Sequence, residues 1–339
     1  MKKSKGLRVW PFVVLWIVLG GIFLASLGLN CAAVAVLDGK AAWSGAEDEC
    51  PALQEKGSFG TEGPKVVRID LNATITREAS GGLLEGGATD RVEKWLRQIR
   101  CATQDEEVEG LLVEVDSPGG GVTCSDELYH EICRFKEAQE GRAVVALVHD
   151  MAASGAYYAI LGADRIVAQP TALVGSVGVL LNGVNAYGLA QKLGVEDVTL
   201  TSGANKDAMN PLKPVNPEQA ALLQAEVDAM YERFLGLVAK HRHVSKGKLR
   251  AVCDGRVMGA SAALEHRLVD QVGYREDALA ALAKLLDAPS VRVVRYEEEK
   301  TLMDELLGVR WNAGGLLGRV SELLGAGPAA GRLEAKYAP

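Results

Sequence analysis

The sequence of 339 residues has few aromatic side chains, few cysteines and no excess of positive charge. Its six cysteines are scattered without a Cys-x-x-Cys pair, which excludes a disulfide-rich scaffold and argues against a structural zinc site. The formal net charge is −7, which disfavours a broadly basic nucleic-acid-binding protein. The hydrophobic fraction of 48% and the aromatic fraction of 5% are compatible with a globular chain that contains a sizeable core.

Long uncharged runs are also scarce, and the one that is present lies near the N-terminus. Residues 10–29 carry no charge and are long enough to cross a hydrocarbon core of about 30 Å as a helix. Positive charge precedes this run and is typical of the cytoplasmic side, so residues 1–29 are predicted to be a basic stub and a transmembrane anchor. The alternative is a cleaved secretory signal, for which Ala25-Ser26-Leu27 is a weak cleavage site.

The remaining chain divides into three parts by composition. Residues 30–64 are rich in Gly, Ala, Glu and Lys and are predicted to be a linker. Residues 65–290 alternate between strand-like and helix-like patterns, which indicates an α/β domain with a largely parallel sheet. Residues 291–339 are predicted to form a strand followed by a loosely packed, glycine-rich tail.

Individual elements of the domain follow from hydrophobic periodicity and turn signals. The predicted strands are 66–71, 111–115, 143–148, 165–168, 177–181 and 198–200. The predicted helices are 89–99, 126–135, 153–161, 217–240, two short ones between 245 and 266, and 276–286.

A glycine-rich segment, Asp116-Ser117-Pro118-Gly119-Gly120-Gly121, directly follows a predicted strand. Its glycines permit positive φ angles and a close approach of the backbone to a ligand, so that N–H groups could face a developing negative charge. No Gly-Lys-Ser/Thr follows, which excludes a phosphate-binding loop of the common type. A plain glycine-rich turn is the alternative.

A second segment, Asp150 to Tyr158, places Ser154 between small residues at the start of a predicted helix. The small neighbours leave room for a substrate beside the hydroxyl, and a helix N-terminus favours negative charge. Ser154 is therefore a candidate nucleophile, and the alternative is that its side chain only caps the helix.

A serine nucleophile needs a base, and the histidines are poorly placed to supply one. His149 is a candidate by position, whereas no histidine lies between residues 149 and 241, where a base would be expected. A Ser-Lys pair is the remaining known arrangement. The segment Thr201 to Pro211 contains Lys206, although a lone lysine in such a loop is commonly a solvated charge.

These segments resemble, in order and spacing, the motifs of the bacterial signal peptide peptidases of the A type. That family consists of membrane-anchored serine proteases of peptidase family S49, related in fold to the Clp proteases and crotonases. The motifs are Ser-Pro-Gly-Gly-Gly, Met-Ala-Ala-Ser-Gly-x-Tyr-Tyr, Gly-Ser-x-Gly-Val and Ser-Gly-x-x-Lys-Asp, and a further block spans 254–273. The resemblance covers roughly residues 65–300 and implies a Clp protease/crotonase-like α/β fold with parallel sheets and flanking helices, preceded by one transmembrane helix.

The resemblance also implies roles for particular residues. Ser154 would be the nucleophile, Lys206 the general base, and Ser176 the second serine that hydrogen-bonds the lysine amine. The oxyanion hole would come from Gly119 and Gly120 together with the N–H of Gly155. The family usually has Gly-Gly after the serine, whereas this chain has Gly155-Ala156.

A lysine that acts as a base near neutral pH needs a pKa about three units below the usual 10.4. A carboxylate beside the amine would oppose that shift. We therefore expect the side chain of Asp207 to point away from Lys206.

The resemblance further implies an assembly and a substrate. The chain would form a ring of about eight subunits, with Ser154 and Lys206 contributed by neighbouring protomers, on the extracytoplasmic side of the bacterial inner membrane. Its substrates would be signal peptides left in the membrane, and no metal, cofactor or nucleic acid is expected. The alternatives are a related protease that acts on other exported proteins, an acyl-CoA enzyme of the crotonase fold, and a non-catalytic scaffold.

Overall fold

The computed structural model describes residues 53–77 and 90–298. The predicted anchor at 10–29, most of the predicted linker and the predicted tail after residue 298 lie outside these ranges. Within them, none of the helices combines the length and the apolar character that crossing a membrane requires.

The described residues form one mixed sheet with helices on both faces. Its strands are β1 (Leu53–Phe59), β2 (Lys65–Leu71), β3 (Val108–Ser117), β4 (Ala143–Ala153), β5 (Arg165–Ala168), β6 (Leu173–Gly175), β7 (Val257–Gly259), β8 (Gln271–Val272) and β9 (Arg292–Glu298). The main path runs β1-β9-β2-β3-β4-β5-β8, and β6 pairs with both β4 and β7. Every pairing is parallel except β1 with β9 and β6 with β7.

The helices are α1 (Arg91–Gln104), α2 (Val122–Ala138), α3 (Gly155–Ile160), α4 (Tyr187–Leu193), α5 (Pro217–Arg242), α6 (Lys246–Arg250), α7 (Ala260–Glu265) and α8 (Arg275–Leu285). Local sequence explains several of their boundaries. Asp90 caps α1 by accepting the Val92 and Glu93 N–H groups, and Asn216 with Pro217 begins α5.

The central strands are buried on both faces because helices cover each side of the sheet. Residues 110–115 of β3 and 143–148 of β4 are continuously buried, as is typical of parallel strands. The larger core packs α1, α2, α3 and the C-terminal half of α5 against one face. The smaller core packs α8 against the other face through Ala278 and Leu282.

The prediction of an α/β domain with a largely parallel sheet is confirmed. The sheet extends beyond residues 65–290 at both ends, because β1 lies in the segment predicted as a linker and its antiparallel partner β9 follows residue 290. The short strand β1 gives a weak periodic signal, because residues 54–58 are all polar or glycine and do not alternate with apolar residues.

Two predicted strands are wrong. Residues 177–181 and 198–200 have no regular secondary structure, and the strand of this region is β6, which ends at Gly175. Val198 and Leu200 are 82% and 94% exposed. Their β-branched and apolar character suits a strand, but within the described residues no partner strand lies beside them to complete the backbone hydrogen bonds.

Candidate active site

Ser154 lies at the junction between β4 and α3, with an unusual backbone conformation. It occupies the N-cap position of α3 with φ 52° and ψ −123°, and its side chain makes no capping hydrogen bond. A positive φ in a residue other than glycine carries strain and is concentrated at functional sites. Capping therefore does not account for this serine, and its hydroxyl is left available.

The strands on either side of β4 fix this conformation. Ser117 pairs with Ala152 on one side, and Gly175 pairs with Ala153 on the other. The Ser154 N–H donates to the Gly175 carbonyl at 2.8 Å. The nucleophile candidate is thus attached to the end of a buried sheet rather than to a loop.

The glycine-rich turn packs directly against this junction. Gly119 has φ 97°, and a Cβ added there would lie 2.7 Å from the Ala153 carbonyl oxygen and 2.9 Å from the Ser154 Cβ. Only glycine fits this position, because both the φ angle and the contact exclude a side chain. The Gly119 N–H donates to Ser117 Oγ at 3.2 Å, so Gly119 shapes the turn while its own N–H is engaged.

Two backbone N–H groups beside Ser154 have no acceptor within the part of the chain that the structure describes. The Ile75 N–H donates to the Gly119 carbonyl, and the Ile75 carbonyl accepts from the Gly121 N–H. These two hydrogen bonds flank Gly120 and leave its own N–H unpaired. Gly155 is the first residue of α3, where a helix leaves its N–H groups unsatisfied. A Cβ on Gly155 would lie 3.2 Å from the Gly120 nitrogen and collide with Ser125 Oγ, so the two glycines lie close together.

Ser176 lies next to the same connection. Its φ is 50°, and its N–H donates to the Arg256 carbonyl at 2.7 Å. The preceding residue, Gly175, accepts the hydrogen bond from Ser154. The structure therefore brings together Ser154, Ser176 and the predicted oxyanion glycines.

Lys206 is not brought to this cluster within one chain. It lies in a succession of turns between residues 201 and 213, is exposed, and makes no side-chain hydrogen bond or ion pair with the residues the structure describes. Asp207 is not paired with the Lys206 amine in the described structure, as expected, and its Oδ2 binds Lys213 Nζ at 2.6 Å instead.

Lys213 is the other lysine of this loop, and its surroundings disfavour a role as base. Its amine contacts both Asp207 and Asp197, the latter at 3.2 Å. Hydrogen bonds to Asp207 and Asp197 raise the pKa of Lys213 above its usual value. The same contact lowers the pKa of Asp207.

The histidines do not reach Ser154 either. His149 Nε2 pairs with the buried Glu114 at 2.9 Å, and its Nδ1 lies 2.8 Å from the Gln169 amide. His241 Nε2 lies 2.8 Å from the Tyr129 hydroxyl. Burial lowers the pKa of His241 to about 4, which makes this histidine a neutral partner of the tyrosine.

The two tyrosines after the nucleophile anchor α3, a contribution that sequence reasoning did not assign. The Tyr157 hydroxyl donates to the Leu268 carbonyl at 2.7 Å. The Tyr158 hydroxyl donates to Asp126 at 2.5 Å and accepts from Arg233 at 3.0 Å. Arg233 therefore ties α5 to the helix that begins beside Ser154.

An α/β domain with a serine at a strand end, beside two N–H groups without an acceptor among the described residues, suits the class of serine-type peptidases. Comparison with known proteins agrees. The model of peptidase family S49 matches residues 136–288, which include Ser154, Ser176 and Lys206.

The chain is similar along most of its length to a protein of Enterococcus faecium that is named as a candidate signal peptide peptidase, SppA. The two are 35% identical over 242 residues, which cover 71% of this chain and 70% of the relative. Protease 4 of Salmonella typhi is 30% identical over 272 residues, 78% of this chain but 42% of that longer protein. The chain belongs to peptidase family S49.

A mutant ClpP1 of Listeria monocytogenes is a match among solved structures, with a TM-score of 0.40 and 14% identity. The match covers 62% of this chain and 93% of that one.

Proposed function

We propose that the protein is a serine endopeptidase in which Ser154 is the nucleophile and Lys206 the general base. The observation that carries this proposal is the junction of β4 and α3. There a serine with positive φ lies beside the unpaired N–H groups of Gly120 and Gly155. Such an arrangement suits acyl transfer, because N–H groups held beside a nucleophile can stabilise an oxyanion without reorganisation.

In the proposed reaction, Ser154 Oγ forms a bond to the peptide carbonyl carbon while Lys206 Nζ takes the hydroxyl proton. The Gly120 and Gly155 N–H groups hold the resulting oxyanion. The carbon–nitrogen bond then breaks, and the leaving amine receives the proton from Lys206. Water, deprotonated by the same lysine, releases the acyl group and restores Ser154.

The lysine would come from a neighbouring copy of the chain. Residues 178–223, which we call the arm, hold Lys206 and expose large apolar side chains. Leu180, Val184, Val198 and Leu200 are each more than 80% exposed. A patch of this kind is typical of a surface that another protein covers. We propose a homo-oligomer of about eight subunits, in which Ser176 of the nucleophile-bearing protomer hydrogen-bonds the neighbour's lysine amine.

The proposed substrates are remnant signal peptides, and the proposed location is the extracytoplasmic side of the bacterial inner membrane. The name of the Enterococcus faecium relative and the uncharged run at residues 10–29 support this proposal. The second candidate is a related membrane-bound protease that degrades other exported or misfolded proteins. The name Protease 4 of the longer relative specifies no substrate and fits either candidate.

The test uses the full chain, reconstituted in lipid vesicles, with a synthetic signal peptide and an unfolded exported protein as competing substrates. Mass spectrometry of the products should show that the signal peptide is cleaved faster. Ser154→Ala and Lys206→Ala should abolish both cleavages, whereas Ser245→Ala, at an exposed serine outside the arm, should not. Preferred cleavage of the unfolded protein would support the second candidate, and activity in Ser154→Ala would contradict both.

A further inference from the structure

The loop that carries Lys206 contains a compact ionic cluster that the proposed reaction does not use. Lys213 Nζ lies 2.6 Å from Asp207 Oδ2 and 3.2 Å from Asp197 Oδ2. We call these three residues the Lys213 cluster. The carboxylate side chains are 11% exposed for Asp197 and 16% exposed for Asp207, although the surrounding arm is open to solvent.

Neighbouring residues fix the position of the cluster. The Thr199 hydroxyl donates to Asp197 Oδ1 at 2.6 Å. The Asn185 amide donates to the Lys213 carbonyl at 2.7 Å. The Ala186 N–H donates to the Pro211 carbonyl at 2.8 Å, which joins the loop to the start of α4. The cluster therefore belongs to the folded part of the arm, and Lys213 is held where it meets both carboxylates.

The position of Asp207, next to Lys206 in the chain, connects the Lys213 cluster to the protonation of the Lys206 amine. Asp207 directly follows Lys206, and consecutive Cα atoms are about 3.8 Å apart. A carboxylate so near could turn toward the lysine amine and favour its charged form, which cannot accept a proton. In the structure that carboxylate is bound to Lys213 instead.

Among the residues that the structure describes, few other charged groups contact the Lys206 segment. The charged groups that the described contacts place there are Asp207, Asp197 and Lys213. From α5, the residue that reaches the segment is the neutral Gln219, whose amide donates to the Ala204 carbonyl at 2.5 Å. From the neighbouring protomer, the proposed partner of the amine is the neutral Ser176. Asp207 is therefore the nearest carboxylate along the chain to the base.

We propose that Lys213 is a positioning residue that holds the Asp207 carboxylate away from the Lys206 amine, so that Lys206 serves as the base. This inference rests on the proposed function. It assigns to Lys213 a role through Asp207, without contact to the substrate.

The test compares the pH dependence of kcat/KM in the wild type, Lys213→Met and a matched control, Lys192→Met. Lys192 is an exposed lysine of α4 in the same arm, without an ion pair among the described residues. Loss of Lys213 should move the acidic limb of the profile upward by about 0.5–1 pH unit, the effect of one nearby negative charge in a largely aqueous environment. Activity at neutral pH should fall about three- to tenfold and recover at high pH, whereas Lys192→Met should follow the wild type.

Two further variants separate this role from a merely structural one. Adding Asp207→Asn to Lys213→Met should return the acidic limb to within about 0.3 pH unit of the wild type, because the harmful carboxylate is gone. Lys213→Arg, which keeps the charge, should retain the normal profile. If Lys213 has only a structural role, Lys213→Met should lower activity by the same factor at all pH values. Adding Asp207→Asn should then lower activity further.

An unshifted acidic limb in Lys213→Met, or a shift that Asp207→Asn does not reverse, would overturn the inference. If Lys213→Met fails to assemble, as judged by its elution volume, Lys213→Gln and the double variant provide the same comparison. Lys206→Ala is measured in parallel. Full activity in that variant contradicts the proposed function itself, whereas an inactive Lys206→Ala with an unshifted Lys213→Met contradicts only the role of Lys213.

Discussion

The junction around Ser154 and the arm that carries Lys206 differ in how far contacts within a single chain surround and position them. At the junction, strands β3 and β6 hold β4 on both sides, and glycines of neighbouring segments lie within contact distance of the serine. In the arm, apolar side chains face solvent and Lys206 has no side-chain partner among the described residues. The contrast supports the proposed site, in which the nucleophile lies within one subunit and the base comes from a neighbouring one.

The junction and the arm are also stabilised by different kinds of interaction. The junction is positioned by backbone hydrogen bonds and burial, which the chain supplies locally. The arm is positioned by ionic and polar contacts such as the Lys213 cluster, while its apolar surface would be buried only by another subunit. Substitutions at the junction should therefore impair catalysis directly, and substitutions of the exposed apolar residues of the arm should act through assembly.

The largest effect is expected from crowding the junction. Gly155→Ala would place a methyl group against Ser125 Oγ and displace an oxyanion donor, so kcat should fall about 10²–10³-fold. Kinetics of Gly247→Ala, whose added Cβ meets no atom within 4 Å, provide the control. Adding Ser125→Ala to Gly155→Ala removes the colliding oxygen and should restore part of the loss. If the double variant recovers no activity, the collision with Ser125 Oγ is not the cause of the loss in Gly155→Ala.

An intermediate effect is expected from making the arm polar. Val198→Asp combined with Leu200→Asp should prevent burial of the exposed apolar surface, so that the assembly dissociates and activity falls at least about tenfold. Light scattering reports the mass, and the melting temperature of the domain should stay unchanged. Leu285→Asp introduces a similar change at a 40% exposed position of α8, outside the arm, and should leave the mass unaltered. An unchanged mass in the arm variant would place the interface elsewhere.

The smallest effect is expected on the pH dependence of stability, through the partly buried His241. Because the folded-state pKa of His241 is about 4, below its usual 6.5, the unfolded chain binds the proton first as the pH falls. Stability should therefore decrease between about pH 6.5 and pH 4, by about 1 kcal/mol after allowing for partial exposure.

Urea unfolding at pH 7 and pH 5 measures this dependence. His241→Gln should reduce it, whereas His266→Gln, at an exposed histidine, should not. An identical pH dependence in His241→Gln and the wild type would contradict the assignment.

The sequence allowed much of the junction to be predicted, because its signals are local. A continuous apolar run predicted β4, small residues around Ser154 predicted an open helix start, and consecutive glycines predicted a close turn. Ser117 was not assigned, although its hydroxyl accepts the Gly119 N–H and donates to the Ala73 carbonyl at 2.6 Å. That contact joins residues 44 positions apart in sequence, which a local pattern does not reveal.

The arm was harder to predict because its apolar residues are not buried in the hydrophobic core of the chain. Val198 and Leu200 carry a strand-like pattern, but their exposure shows that the pattern is not used within one chain. The polar partners of Asp207 were likewise hidden, since Lys213 lies in an irregular loop without periodicity. The chemistry of a lysine base predicted that Asp207 would not pair with Lys206, but it did not predict that Asp207 binds Lys213.

The most direct test of a site shared between subunits mixes two inactive variants, Ser154→Ala and Lys206→Ala, and follows cleavage of a fluorogenic peptide with small apolar residues. Subunit exchange is confirmed separately with labelled protein. If neighbouring subunits share the site, each variant alone is inactive and the mixture recovers a substantial part of the wild-type activity. Two inactive variants that exchange subunits without recovering activity would show that Ser154 and Lys206 act within one chain, and would contradict a shared site.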